Sequence, residues 1–431
     1  MRLLGKLKGS DFFKNSLTLS GGVAIAQIVP FLFYPLLGRI FTAEEFGLLA
    51  SLTSIISVLA VVGSGKYENA ILIARDKQEA AGLALLSILL GVVAMLVVWL
   101  LMQFVLLQPL CRVLDEPEAG RWLFVCPIAA LCIIIFNVYN EWCVREKYFA
   151  ALSVNKIVNA TAITLAKTFL GLVRLCGQGL VVGDLVGRAV SAVGCIVRAW
   201  IKDGRTFART CWADILAAAR RYKEFPLFTM PGQLLNTVGQ ALPILFITAY
   251  FGKGDAGQFS MAMTLFAIPI NVIGTALRDV YRQRANEELR TTGSCRKSFD
   301  RLLLTLSVVG VGAFLVFVWF LPALLKLFLG PQWGAAGHYA QILAPAMLFS
   351  FISGPLTGLF VVAEKLRPFF WWQVAYCVGT LLSVWIGCQF LGTLLGTLVL
   401  FSATRSCVYI ASIFMTRHYS QARQIRQGGS H

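Results

Sequence analysis

Charged side chains are scarce in this chain: Asp, Glu, Lys and Arg together make up 14% of its 431 residues. A soluble domain of average composition carries about 25%. The deficit is matched by a hydrophobic content of 58% and a mean hydropathy of +0.74. One stretch, from Pro368 to Thr404, has no charge at all, and at ~1.5 Å per residue it is too long for a single crossing of a ~30 Å hydrocarbon core. The chain is therefore predicted to be a polytopic membrane protein.

Histidine and closely spaced cysteine are also rare. The three histidines lie far apart in the sequence, so no group of residues has the spacing of a metal site. The eleven cysteines include no Cys-x-x-Cys pair, and most lie in apolar stretches, where free cysteine behaves as a small apolar residue. We therefore expect no metal, no cofactor and no disulfide framework.

Motifs of enzymatic chemistry are missing as well. There is no G-x-S-x-G elbow, and Gly65-Lys66 is followed by Tyr67 where a Walker loop needs Ser or Thr. Energy must then come from an ion gradient or from the gradient of the substrate itself. Outside the membrane, paired-carboxylate catalysis would need acids that converge in the outer loops. These loops offer only Glu44, Glu45, Asp115, Glu116, Glu118 and Asp255. Most of the six stand beside helix starts, which favours capping. The sequence therefore predicts a protein that is not an enzyme.

Acidic residues are outnumbered, with 21 against 38 basic residues and a formal charge of +17. In a soluble protein this excess would suggest nucleic acid as a partner, but here the basic residues stand between apolar stretches. With the N-terminus in the cytoplasm, 29 of them fall on the cytoplasmic side and six on the other. This bias follows the positive-inside rule. It predicts that both termini are cytoplasmic, and it argues against nucleic-acid binding.

The apolar stretches predict an all-α integral membrane fold with about twelve transmembrane helices. Their expected ranges are 16–38, 46–70, 80–107, 121–141, 155–174, 178–199, 227–250, 256–277, 302–323, 339–363, 368–389 and 393–415. The longest cytoplasmic connection separates six spans from six. The predicted domains are an N-terminal bundle (1–200), a basic connector helix (201–226), a C-terminal bundle (227–415) and a cytoplasmic tail (416–431).

The two halves show a weak internal repeat. Gly38–Gly47 and Ala249–Gly257 are both short turns after a first span, each with an acidic residue and then a glycine, at an offset of 210 residues. Two six-helix repeats are a known transporter plan, with the substrate between them. The alternative is that any two such hairpins look alike.

The connector has roughly helical spacing of apolar residues over 214–226, with charges near its end and Pro226 after them. It suits a helix lying on anionic lipids of the inner leaflet. The alternative is a helical connector whose charges only set topology.

Ionisable residues within the spans are candidates for function, because each costs at least ~2.5 kcal/mol at a helix centre. Lys167 and Arg405 are expected at mid-span of helices 5 and 12. Asp184 and Arg188 are four residues apart on helix 6 and so share one face. Their alternative role is a salt pair that only offsets its own burial. These deep cations outnumber the acid beside them, which predicts a cavity that attracts an anion.

Other candidates stand near the ends of spans. Lys66 and Glu68 are expected near the inner end of helix 2, Arg278 at that of helix 8, and Glu364 at that of helix 10. Arg39 stands at the outer end of helix 1. The alternative for Lys66, Arg278 and Glu364 is snorkelling to the interface.

Four segments resemble a known family. Arg39–Gly47 and Gly65–Ile71 look like the start of Wzx-type polysaccharide flippases. Arg221–Leu227 is similar to the lead-in to their seventh helix, and Ile273–Tyr281 resembles the end of their eighth. The likeness follows span order over most of the chain, whereas the C-terminal third matches only in hydropathy.

The resemblance implies the multidrug/oligosaccharidyl-lipid/polysaccharide superfamily, with two pseudo-symmetric six-helix bundles around a central V-shaped cavity. It implies transport of undecaprenyl-pyrophosphate-linked glycan units, such as those of O-antigen lipopolysaccharide, across a bacterial inner membrane by alternating access. Polymerase and chain-length proteins of the same pathway are then expected partners. Family members bind the pyrophosphate with cationic residues, a role that the motifs carry onto Lys66 and Arg39.

The remaining assignments come from depth and charge. Substrate binding is predicted for Lys167, Arg188, Arg278 and Arg405, and ion coupling or salt pairing for Glu68, Asp184 and Glu364. A cation-coupled drug exporter of the same fold is the main alternative, but it would be expected to have a cavity dominated by acids. A membrane glycan polymerase or ligase would be expected to have a large outer loop, and none is predicted here.

Overall fold

The computed structural model describes residues 11–106, 108, 119–173, 179–291, 293–363 and 365–421, and every regular element in these ranges is a helix. Twelve long helices are α1 Asp11–Ile40, α2 Ala43–Gly63, α3 Lys77–Leu101, α4 Cys126–Arg145, α5 Phe149–Leu172, α6 Gly179–Arg209, α7 Met230–Phe251, α8 Lys253–Thr291, α9 Arg296–Phe328, α10 Gly334–Leu356, α11 Leu366–Ile386 and α12 Leu394–Tyr419. Each contains or forms a segment long and apolar enough to cross a membrane. The all-α fold with twelve spans is confirmed.

The second span ends earlier than its apolar pattern indicates. Gly65 and Lys66 both have left-handed backbones, with φ of 56° and 59°, so α2 stops at Gly63 and a 3₁₀-helix follows over Tyr67–Ile73. Only glycine takes this conformation without strain. Hydropathy has no signal for such a break, and the expected continuation of the span to residue 70 is wrong for that reason.

The basic segment between the eighth and ninth spans is helical over most of its length. Helix α8 has 39 residues and α9 has 33, which at ~1.5 Å per residue makes both longer than a ~30 Å hydrocarbon core. Ion pairs four residues apart support the polar part, with Arg284 3.0 Å from Glu288 and Arg296 3.7 Å from Asp300. Hydropathy detects only the apolar part of such a helix.

The first compact unit covers Met1–Ser260. Its largest core joins α2, α3, α4 and the 3₁₀-helix, with Leu52, Ile71, Leu83 and Trp142 fully buried. Helix α5 packs against α1 and α6, and α7 packs against α2. The division by packing therefore falls after Ser260, whereas the division by repeat was placed at the connector. The two six-helix bundles and their cavity stay predictions.

The connector helix, Trp212–Arg221, packs against α3. Its residues Ile215 and Ala218 belong to the core of the first unit, and Arg221 lies 3.1 Å from Glu79 at the start of α3. Protein therefore covers part of the apolar surface of this helix, whereas Trp212 and Leu216 stay exposed. Whether its charges lie on lipid or only set topology stays a prediction.

The two turns matched by the internal repeat contact each other. A Cβ placed on Gly47 would lie 1.9 Å from the carbonyl oxygen of Lys253, and one placed on Gly257 would lie 1.8 Å from that of Ala43. Both pairs relate by the offset of 210 residues, so the contact is reciprocal. Any side chain at either glycine would collide with backbone, which explains why α2 and α8 both carry glycine four residues into the helix.

The second unit covers Met261–His431. Helix α10 packs between α9 and α12, and α11 packs along α12. Phe299, Leu356 and Leu359 are fully buried in a core at one end of these helices. Gly337 brings α10 against α9, because its Cβ would lie 2.5 Å from the Cα of Pro322.

Candidate functional site

Three charged side chains meet between α5 and α6. Asp184 Oδ1 accepts from Lys167 Nζ at 2.8 Å, and Asp184 Oδ2 accepts from Arg188 Nε at 2.5 Å. The side chain of Asp184 is 6% exposed, that of Lys167 15% and that of Arg188 18%. We call these residues the ion cluster. Two cations share one carboxylate, so it carries a net charge of about +1.

Small residues on α6 bring the ion cluster together. A Cβ on Gly183 would lie 2.6 Å from the Cα of Lys167, and one on Gly187 would lie 2.3 Å from the Cα of Ile163. The two helices therefore touch at the backbone, as small residues permit in membranes. This close approach lets the short side chain of Asp184 reach Lys167 on the neighbouring helix.

The position of Lys167 differs from the expected one. Helix α5 runs from Phe149 to Leu172 and so begins six residues before the expected start at 155. Lys167 therefore lies ~27 Å from the start of the helix and ~8 Å from its end, at ~1.5 Å per residue. Its predicted mid-span position is wrong. The pairing with Asp184 was also missed, although a glycine stripe on α6 one turn from an acid was a usable signal for it.

Lys66 and Glu68 form a second group, directly after the C-terminal end of α2. Lys66 Nζ donates to Glu68 Oε1 at 3.0 Å, and Ser64 Oγ donates to the same oxygen at 3.1 Å. Glu68 is 2% exposed, and its Oε2 is buried without a hydrogen-bond partner among the described residues. Lys66 is only 12% exposed, so it binds this carboxylate and does not snorkel.

Two charges that the sequence analysis did not single out act on this pair. Glu141 on α4 interacts electrostatically with Glu68, Lys66 and Lys156 of α5. The four side chains sum to about zero charge, so this group offers less attraction to an anion than the ion cluster does.

A satisfied polar network was also missed by the sequence analysis. Asp203 is 5% exposed and accepts from Lys77 Nζ at 2.6 Å and from Trp142 Nε1 at 2.9 Å. It ties the start of α3 to α4 and α6. Since both carboxylate oxygens are bonded, we read this network as structural.

Arg405 lies in the middle of α12 and is 5% exposed. Its guanidinium stands 5.0 Å from the ring centroids of both Tyr376 on α11 and Phe401 one turn earlier. Its Nε is buried without a hydrogen bond, and no ion pair to it occurs among the described residues. The mid-span position is as expected, whereas the rings around it were not predicted.

The other candidates lie elsewhere. Arg278 on α8 has a buried Nε without a hydrogen-bond partner in the described part of the chain. Arg39 is exposed in the last turn of α1, and it is separated from Lys66 by the length of α2, ~30 Å. These two cannot bind one pyrophosphate together. Glu364 lies outside the described residues.

Comparisons with known proteins show which family this chain belongs to and which solved structures share its fold. Residues 36–337 match the family described as polysaccharide biosynthesis protein. The chain belongs to this family. The succinoglycan biosynthesis transport protein ExoT of Rhizobium meliloti strain 1021 is 25% identical over 367 residues, which cover 81% of this chain and 69% of that protein.

Solved structures show the same fold. A lipid II flippase MurJ in an inward closed conformation aligns with a TM-score of 0.73 and 10% identity, covering 91% of this chain and 87% of the flippase. An inward-facing multidrug resistance MATE family transporter of the MOP superfamily aligns with a TM-score of 0.68 and 16% identity, covering 94% of each chain. At these identities the likeness shows the fold. The fold that the resemblance implied is confirmed, and so is the resemblance to polysaccharide biosynthesis proteins.

Proposed function

We propose that this member of the polysaccharide biosynthesis family is a flippase. It moves undecaprenyl-pyrophosphate-linked oligosaccharide units from the cytoplasmic to the periplasmic leaflet of a bacterial inner membrane by alternating access. The observation that carries the proposal is the surplus of positive charge within the spans. Lys167 and Arg188 share one carboxylate, and Arg405 has none among the described residues.

The surplus suits an anionic cargo. A pyrophosphate loses its hydration on entering the protein, and charge-assisted hydrogen bonds from Lys and Arg replace it. Lys has three donors and Arg has five, so the ion cluster keeps free donors after both cations have bonded Asp184. The glycan would pass through the protein interior while the polyprenyl chain stays in lipid.

The remaining parts of the proposal concern the orientation in the membrane, the partner proteins and the type of glycan. The basic segments predicted to be cytoplasmic would face anionic lipids of the inner leaflet, and both termini would be cytoplasmic. Polymerase and chain-length proteins of the same pathway are the expected partners. The relative ExoT is named a succinoglycan biosynthesis transport protein, so a unit of a polysaccharide such as succinoglycan is a candidate beside an O-antigen unit.

A cation-coupled drug exporter of the same fold is the second candidate. One observation favours it, namely that Glu68 Oε2 is buried without a hydrogen bond in the described structure, as a proton or cation site would require. Lys66 and Lys156 offset the acids around it, however, and a flippase coupled to an ion gradient would use such a carboxylate equally well. The cationic ion cluster is therefore the better guide to the cargo.

The test is glycan export in a deletion strain complemented with variants. Lys167→Ala should abolish surface glycan, and a lipid-linked unit should accumulate on the inner leaflet, while the protein still reaches the membrane. Arg405→Ala should do the same. Lys223→Ala and Arg367→Ala change exposed cations and should export normally. Normal surface glycan with both Lys167→Ala and Arg405→Ala would refute the role of the cations.

A further inference from the structure

Two facing stripes of residues on α11 and α12 bring five aromatic rings together. Trp372 and Tyr376 are 6.0 Å apart, and Tyr409 lies 5.8 Å from Tyr376 and 6.4 Å from Trp372. Phe369 stacks 5.9 Å from Trp372, and the ring centroid of Phe401 lies 5.0 Å from the Arg405 guanidinium. Spacings of three and four residues put each stripe on one helix face. We call these five rings the aromatic column.

The aromatic column continues towards the start of α11. Phe360 lies 5.2 Å from Phe369 and 6.0 Å from Tyr419, and Lys365 Nζ lies 5.8 Å from the ring centroid of Tyr419. On the predicted topology this end is cytoplasmic. The rings therefore run from the middle of the second unit to the side from which a lipid-linked glycan would enter.

Among the residues that the structure describes, Arg405 is the charged residue that lies between the two stripes. Arginine does not lose its proton in proteins, so burial has to be compensated by partners. A cation–π contact contributes ~0.5–2 kcal/mol, whereas removing an ion from water costs several kcal/mol. The two rings 5.0 Å from the guanidinium accept no conventional hydrogen bond, and Nε has no hydrogen-bond partner among the described residues. The N–H groups of Arg405 are therefore left to bind an anion. An edge of parallel N–H groups suits a bidentate phosphate or carboxylate.

The neighbouring rings are held in place but not fully covered. Trp372 Nε1 donates to the carbonyl oxygen of Val408 at 2.9 Å, which sets the plane of the indole. Trp372 and Tyr409 are both half-buried, so part of each ring surface is available. An aromatic face is electronegative and an aliphatic C–H edge is weakly positive, which makes the C–H face of a sugar ring a suitable partner.

We propose that Arg405 and the aromatic column form a binding site for an anionic glycan. A sugar ring lies against Trp372 and Tyr409, and an anionic group bonds the edge of the Arg405 guanidinium. The site rests on the proposed function and adds to it a direct contact with the sugar. The anion is either the pyrophosphate of the lipid carrier or an acidic group on the sugar, since both present the same oxygens.

Binding to the purified full-length protein in nanodiscs tests this site. The probes are farnesyl pyrophosphate, its glucosyl derivative and its glucuronyl derivative. Trp372→Ala should weaken both sugar probes by about tenfold, which is the order of one lost stacking contact, and leave farnesyl pyrophosphate unchanged. Trp372→Phe keeps a ring and should lose less.

The Arg405→Gln variant identifies the anion. An equal loss with all three probes assigns Arg405 to the pyrophosphate, and a loss with the glucuronyl probe alone assigns it to the sugar acid. Arg405→Lys keeps the charge without the planar edge and should bind between wild type and Arg405→Gln. Unchanged binding of every probe to folded Trp372→Ala and Arg405→Gln overturns the site.

Matched controls lie on the same helices. Trp371 is 68% exposed, and its ring lies 5.8 Å from that of Phe370, which is not part of the column. Arg417 is exposed and pairs with Asp300 at 3.1 Å. Trp371→Ala and Arg417→Gln should bind all probes as wild type does. Loss of export with Lys167→Ala but not with Arg405→Gln or Trp372→Ala would overturn this site and leave the flippase standing. Normal export of glycan in the deletion strain would overturn the proposed flippase function itself.

Discussion

Replacing Asp184 by Asn should destabilise the first unit more than replacing either cation that it binds. The variant removes the carboxylate charge 2.8 Å from Lys167 Nζ and 2.5 Å from Arg188 Nε and leaves two partly buried cations without their counter-ion. At an effective dielectric constant of about 20, unit charges about 7 Å apart repel by roughly 2.4 kcal/mol. Breaking a buried pair typically costs 3–5 kcal/mol. Since both cations keep some solvent contact, we expect about 3 kcal/mol.

Other variants of the ion cluster should lose less stability than Asp184→Asn. Lys167→Met leaves Asp184 and Arg188 as a neutral pair and should cost about 1 kcal/mol, the net contribution of one hydrogen bond. The double variant Asp184→Asn with Lys167→Met leaves one cation and should be more stable than Asp184→Asn alone. Exchanging Asp184 and Arg188 should not restore stability, because Lys167 would then face a cation.

Thermal unfolding of the purified variants in one detergent measures this ranking as differences in Tm. Asp300→Asn is the matched control, because its carboxylate is exposed in pairs with Arg296 and Arg417 and such pairs contribute little. A double variant less stable than Asp184→Asn would refute the reasoning, because it would mean that Asp184 does not compensate Lys167. A wild-type Tm for Asp184→Asn would refute it equally.

Three further predictions concern the helix contact, the topology and a buried thiol. Gly257→Val should stop export without removing the protein from the membrane, because its side chain would collide with the α2 carbonyl 1.8 Å from the ideal Cβ; normal export would contradict the tight contact. Cysteine placed at Thr206 should react with an impermeant maleimide only from the cytoplasm and cysteine at Asp255 only from outside, and the reverse would overturn the topology. Cys295 is buried, and burial raises the pKa of its thiol, so it should react with maleimide only after the protein is unfolded; modification of Cys295 in the folded protein would contradict its burial.

The ion cluster and Arg405 should differ in how tightly each holds an anionic cargo. The ion cluster holds its own counter-ion, because Asp184 pairs with both cations, so an anionic cargo would meet a net charge of about +1 there. Arg405 contacts aromatic rings and pairs with no acid among the described residues. We expect an anion to be held more tightly at Arg405 than at the ion cluster, because less of the charge is already satisfied.

The sequence by itself determined the twelve spans, because the free energy of placing a segment in lipid depends on the composition of that segment alone. It also indicated the sign of the buried charge, since a lysine or arginine within a span is costly wherever its neighbours lie. The contact between Gly47 and Gly257 follows the repeat offset that sequence comparison had found. The spans and the sign of the charge depend on local composition, and the repeat offset depends on internal similarity. All three can be read without knowing how the helices pack.

Only the tertiary structure decided which charges are satisfied. Lys167 and Asp184 stand on different helices, and their ion pair depends on the rotation of α6 against α5, which Gly183 and Gly187 set by backbone contact. Arg405 is likewise distinguished by the rings that α11 turns towards it. Side-chain partners across helices depend on rotation and closest approach, which hydropathy does not encode. For that reason cations that looked alike in the sequence differ in the folded protein, one satisfied by an acid and one enclosed by rings.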